Sequence, residues 1–152
     1  MPDGRTHTVA AIVALLLSAV VVAGVQLFGL WWTPVSAVAY LIGTKWLSPD
    51  LDLVSQPYMA WGPLRIIWWP YMMLVPHRSW WSHGPVIGTL ARIASLVIVS
   101  AIVTGCLVLL GVVTPLAVKE ALRIDLWIII ATLVGLELSA LVHIALDRLL
   151  KN

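Results

Sequence analysis

The chain has 152 residues, a mean hydropathy of +1.01, 61% hydrophobic residues and only 11% charged ones, against about 25% charged in an ordinary soluble domain. That composition belongs to a membrane protein, and the length allows one domain (residues 1–152). A net charge of +2, nine scattered Lys and Arg against seven Asp and Glu, excludes nucleic acid as an expected partner. The single cysteine, Cys106, excludes a disulfide framework and a cysteine-rich metal site.

Four apolar segments follow in order, so the expected fold is all-α, with about four transmembrane helices. The first, residues 8–31, is longer than the apolar core of a signal peptide and lacks a small-residue cleavage site, which predicts a retained span. The second, residues 34–47, stops at Ser48-Pro49, because the residue before a proline avoids helical geometry. It is short for a span. The third, residues 85–113, opens on Pro85, a good first-turn residue, and ends before Thr114-Pro115. The fourth, residues 125–150, opens on Asp125 and closes with Arg148 and Lys151, as the helix dipole favours.

Residues 50–84 are too polar to span and too apolar for an ordinary loop. Trp61, Trp68, Trp69, Tyr71, Trp80 and Trp81 suit the headgroup region, which predicts a Trp-rich interfacial cap between the second and third spans. With four spans both termini share a face. That face carries Arg5, Lys45, Arg65, Arg78, Arg92, Arg148 and Lys151, the other Lys119 and Arg123, so the termini are expected in the cytoplasm.

The alternation of spans also brings His7, His77, His83 and His143 to one membrane face, together with Asp50, Asp52 and Asp147. His143 and Asp147 are one helical turn apart and share a helix face. Asp50 and Asp52 would share a face if the chain is extended there. His77 and His83 would converge only if residues 78–82 make a turn. Any one of these histidines could be an interfacial residue with a hydrogen bond. The gathering of all seven at one end favours a metal site, and imidazole with carboxylate suits zinc, manganese or iron. Deeper in the spans, Arg92 is expected either to pair with Glu137 or to reach back to the interface. Arg65 and Arg78 could hold an anionic group or lipid headgroups.

GRTH (residues 4–7), SPDLDLVSQPY (48–58), WGPLR (61–65) and PHRSWWSHGPVIGT (76–89) resemble a family of small bacterial membrane proteins regarded as metal-binding and of unknown function. They are more distantly similar to membrane-bound metal-dependent hydrolases, which carry a similar PD-x-D … HR … SH layout. The family often has an acidic residue after the first histidine, where this chain has Thr8. The resemblance implies metal ligands at His7, Asp50, Asp52, His77 and His83, and the His-x-x-x-Asp spacing adds His143 and Asp147. The expected ion is divalent, zinc first and manganese or iron as alternatives. The expected reaction is hydrolysis of a lipid-type or phosphoester substrate in a bacterial inner membrane, with Asp50, Asp147 and Arg78 as catalytic groups. Membrane lipids and partner membrane subunits are the expected partners. The alternative is a non-catalytic subunit of a larger complex, whose metal or polar cluster is structural.

Overall fold

The computed structural model describes residues 32–150, with residues 13, 20, 21, 23–25 and 29 of the preceding segment. The expected first span is therefore described at only a few positions, which are helical up to residue 25. Gly29, in the left-handed region at φ 82, donates its N–H to the Val25 carbonyl, the usual way a glycine closes a helix. His7 lies outside the described residues.

All regular structure among the described residues is helical. Helix α1 is Trp32–Lys45, α2 Gln56–Ala60, α3 Trp69–Leu74, α4 Trp80–His83, α5 Ile87–Leu109, α6 Pro115–Ala121 and α7 Leu126–Leu150. Two 3-10 turns, Pro49–Asp52 and Gly62–Trp68, flank α2. The expected third and fourth spans correspond to α5 and α7, which are long and apolar enough to cross a membrane. The expected second span is the 14-residue α1, about 21 Å at 1.5 Å per residue, short of a hydrocarbon core about 30 Å thick. Thus two of the four expected spans meet the length requirement among the described residues. Helix α6, which the sequence reading did not anticipate, is capped by Thr114, whose hydroxyl accepts from the Ala117 N–H.

Helix α1 runs along α7, and small residues set how closely. Ser36, Ala39 and Gly43 of α1 are buried, as are Ala131, Ser139 and Ala140 of α7. A Cβ on Gly43 would collide with the Ser139 hydroxyl, and one on Gly135 with the Ser36 carbonyl. The backbones therefore touch, as they do where small residues line a helix pair in a membrane. Helix α5 meets α7 at few points and leaves Val97, Ile98, Ile102, Val103 and Leu109 exposed.

The segment expected to lie flat as a cap has its own core. Leu51 and Trp68 are fully buried and Tyr71 nearly so, with Leu47, Tyr58, Trp61, Val75 and Leu96 packed around them. Trp68 meets Trp61 and Tyr71 edge to face at 5.3 and 5.8 Å. Only part of the aromatic set has the exposure expected of headgroup anchors: Trp69, Trp80 and Trp81 are exposed, whereas Trp68 and Tyr71 hold the cap together. The sequence could not divide them, because burial here depends on where four prolines turn the chain.

The α1–α7 contact yields a direct test. Gly135→Leu should destabilise the protein by about 1–3 kcal/mol through overpacking, read as a lowered thermal unfolding midpoint. Gly105→Leu on α5, where a new Cβ meets open space, should have little effect.

Candidate metal centre

Three elements converge at one end of α7. The first is the Pro49–Asp52 turn. Its carboxylates were expected to share a face of an extended chain, but the segment is a 3-10 turn that sinks Leu51 into the cap core. Asp50 and Asp52 consequently serve neighbouring groups. The second element carries the two central histidines. Arg78 adopts a left-handed conformation, φ 59, and Trp80–His83 forms a single helical turn, so the chain reverses and the rings of His77 and His83 come within 5.4 Å, edge to face. The third is α7, which brings the His143 ring to 6.0 Å from that of His83.

Asp50 lies between two imidazoles. Its Oδ1 is 3.4 Å from His83 Nε2 and its Oδ2 is 3.3 Å from His143 Nε2. The His143 and then the His83 imidazole beside it hold its carboxyl well below the usual carboxylate range, against the opposing effect of partial burial. Asp52 has a wholly buried side chain. It accepts from His77 Nδ1 at 2.9 Å and from the Arg78 backbone N–H at 3.3 Å, and its Oδ2 is 3.7 Å from His83 Nδ1. Ligand atoms of Asp50, His83 and His143 all lie within 4.8 Å of one another, and so do those of Asp52, His77 and His83. Asp147 belongs to neither group; its carboxylate is 3.5 Å from the Arg78 guanidinium. Arg65 is turned away, its guanidinium on the Met59 sulfur and over the Tyr58 ring.

The donor set fits a divalent cation on the evidence of two atoms. His83 Nε2 and His143 Nε2 are buried, lie 3.4 and 3.3 Å from the Asp50 carboxylate in poor hydrogen-bond geometry, and have no better partner among the described residues. Both face the same carboxylate. With both imidazoles protonated at Nδ1, lone pairs of two nitrogens and two oxygens would point into one small space, an arrangement that a cation would satisfy. The Asp50–His83–His143 group offers one oxygen and two nitrogens, a set suited to zinc and also open to manganese or iron. The second group shares His83, whose Nδ1 is 2.9 Å from the Ser82 hydroxyl. Asp52, His77 and His83 are thus a second possible ligand group, and around an ion held by the first group Asp52 and His77 would be the orienting partners.

A helical protein with a His/Asp ligand cluster is the class these observations define. The chain belongs to the family described as "Uncharacterized metal-binding protein (DUF2227)", whose model matches residues 2–152. It is 42% identical over 57 residues to a protein of Aquifex aeolicus (strain VF5) named "Uncharacterized protein". That stretch covers 37% of this chain and 40% of the relative, so the match spans well under half of either. No solved structure matches the chain.

Sequence reasoning missed three participants. Ser82, Tyr71 and Arg92 each make a hydrogen bond that supports the His83 turn. Arg92 and Glu137 do not take the partnership expected of them: Arg92 donates to Ser82 and Thr89, and Glu137 accepts from the Val86 N–H.

Metal analysis of purified variants checks the donor set. His83→Ala and His143→Ala should each abolish stoichiometric metal, whereas His77→Ala should weaken affinity by about 10–100-fold, as losing an orienting partner does. Cys106→Ala should leave the metal content unchanged, since the site needs only nitrogen and oxygen.

Proposed function

We propose that the chain is a membrane-embedded metal protein that hydrolyses a lipid-type or phosphoester substrate at the cytoplasmic face, with a divalent ion, zinc first, held by Asp50, His83 and His143. The observation that carries this reading is the pair of buried imidazole nitrogens that face one carboxylate and have no well-formed hydrogen bond among the described residues. His7 stays in the proposed ligand set from the GRTH motif.

Embedding is supported by α5. Its apolar window has a mean hydropathy of 2.3, yet only 6% of it is buried. The core helix of a soluble protein would be covered by its own chain; this one presents its apolar surface outward, where acyl chains would cover it. The exposed Trp69, Trp80 and Trp81 suit the interface beside the ligand cluster. The excess of Lys and Arg on the cluster side supports a cytoplasmic location.

The bound ion would supply Lewis acidity towards a phosphoryl or acyl oxygen and a water of lowered pKa. The remaining chemistry falls to the chain. Asp52 is enclosed, and both its oxygens have donors, so it orients His77 and cannot readily exchange protons with substrate. Asp147 and Arg78 stand at the rim, their side chains 35% and 52% exposed. Asp147 is placed to accept a proton, and Arg78 to hold an anionic group by parallel N–H donors as charge develops. The PD-x-D … HR … SH layout supports the same reaction class.

The assay is release of phosphate or acyl product from a lipid panel by the purified protein, with chelated protein as control. Chelator-sensitive turnover is expected, and Arg78→Ala should retain the metal while lowering turnover by about 100-fold, the scale of losing one charge-stabilising donor. Absence of chelator-sensitive turnover on every substrate, with a closed ligand shell, would leave the structural subunit as the better reading.

A further inference from the structure

Arg92 is 2% exposed, one of the largest fully buried side chains, in a helix that is otherwise almost wholly apolar. Burying a guanidinium is costly, and for packing alone a methionine or leucine would serve. Its hydrogen bonds give it another purpose. Nη2 donates to the Thr89 hydroxyl at 3.0 Å, one turn back on the same helix, which fixes the guanidinium. Nη1 donates at 2.8 Å to the carbonyl of Ser82, the residue immediately before His83.

That carbonyl belongs to α4, a helix of only four residues. One turn has too few internal hydrogen bonds to hold its own orientation, so neighbours must hold it. The preceding carbonyl, Trp81, accepts from the Tyr71 hydroxyl at 3.3 Å. Burial pushes the Tyr71 pKa up to about 12, so the hydroxyl keeps its proton and remains a donor. Gly88 of α5 closes from a third side; a Cβ there would press on the Ser82 carbonyl. Two successive carbonyls of α4 are thus gripped by donors from two other elements.

The grip reaches the ligand through Ser82, which is fully buried. Its Oγ is 3.3 and 3.4 Å from the Ser79 and Pro76 carbonyls and 2.9 Å from His83 Nδ1. A hydroxyl has one proton. Directed at those carbonyls, it leaves the oxygen to accept from Nδ1–H, with the Asp52 carboxylate on the same side of the ring. His83 Nε2 is then the atom with a free lone pair.

We propose that Arg92 is a positioning residue for the metal centre: by holding the Ser82 carbonyl it fixes the Trp80–His83 turn so that His83 presents Nε2 to Asp50 and His143. The metal-affinity arm of the test rests on the metal reading given above, and the tautomer arm does not.

The test uses the full chain. In the metal-free protein, imidazole nitrogen chemical shifts should show His83 protonated at Nδ1. Arg92→Lys keeps the charge but cannot span both acceptors, and should give a mixture of tautomers. Thr89→Val, nearly isosteric, frees the guanidinium from its second anchor and should give a smaller shift in the same direction, so the question is decided even where the lysine variant does not fold. Ser82→Ala should reproduce the mixture with Arg92 in place. In the second arm, zinc affinity measured against a chelating dye should fall at least tenfold in Arg92→Lys, with a changed cobalt(II) visible spectrum, while the helical circular dichroism is retained. A wild-type His83 protonated at Nε2 would overturn the proposal, as would an unaltered Nδ1–H tautomer in both Arg92→Lys and Thr89→Val. A wild-type chain that takes up no zinc would remove the metal reading while leaving the tautomer arm to decide the role of Arg92.

Discussion

Asp50 sits between two imidazole nitrogens that have no other partner among the described residues, and the arrangement around it follows from that demand. Three polar groups brought so close need hydrogen-bonding protons or a cation between them. Meeting the demand requires three separate elements to meet to within an ångström or so: the Pro49–Asp52 turn, the one-turn helix α4 and the far end of α7. The small-residue contact between α1 and α7 helps secure this. Since Lys45 closes α1 only a few residues before Asp50, the depth at which α1 lies along α7 sets the height of Asp50 against His143.

The backbone between His77 and α5 carries the strain of the arrangement. Arg78 and Val86 have left-handed φ values of 59 and 62, a cost of order 1–3 kcal/mol each and an uncommon conformation for a β-branched residue. Each is held the same way. The Arg78 N–H is taken by Asp52 and the Val86 N–H by Glu137, carboxylates from other elements. Glu137, a mid-helix acid on α7, thereby acquires a structural purpose as the acceptor for a backbone N–H. The segment carrying both histidines is pinned by a carboxylate at each end and by Arg92 and Tyr71 between.

Much of this was legible in the sequence, for specific reasons. Proline and capping signals located α5 and α7 to within a few residues, because long apolar runs have few alternatives. The spacing of His77, His83, His143, Asp50 and Asp52 foretold their convergence, since alternation of helices fixes which ends meet. The division of labour between the two aspartates was hidden, because a 3-10 turn and an extended strand place positions 50 and 52 differently and the DLD triplet permits either. The aromatic residues were read as one interfacial set, although a folded cap needs some of them as core. Depth in the span offers Arg92 either Glu137 or the interface, and it does not reveal that a carbonyl of α4 is within reach. The family's metal-binding description agrees with the cluster but names no residue within it.

The central claim is that nitrogen and oxygen donors from Asp50, His83 and His143 gather on one ion. X-ray absorption spectroscopy of the zinc-loaded chain addresses it most directly. The account predicts a shell of nitrogen and oxygen at about 2.0–2.2 Å, with the outer-shell scattering of at least two imidazoles. A sulfur shell near about 2.3 Å, or a zinc ion surrounded by oxygen alone with no imidazole scattering, would contradict it.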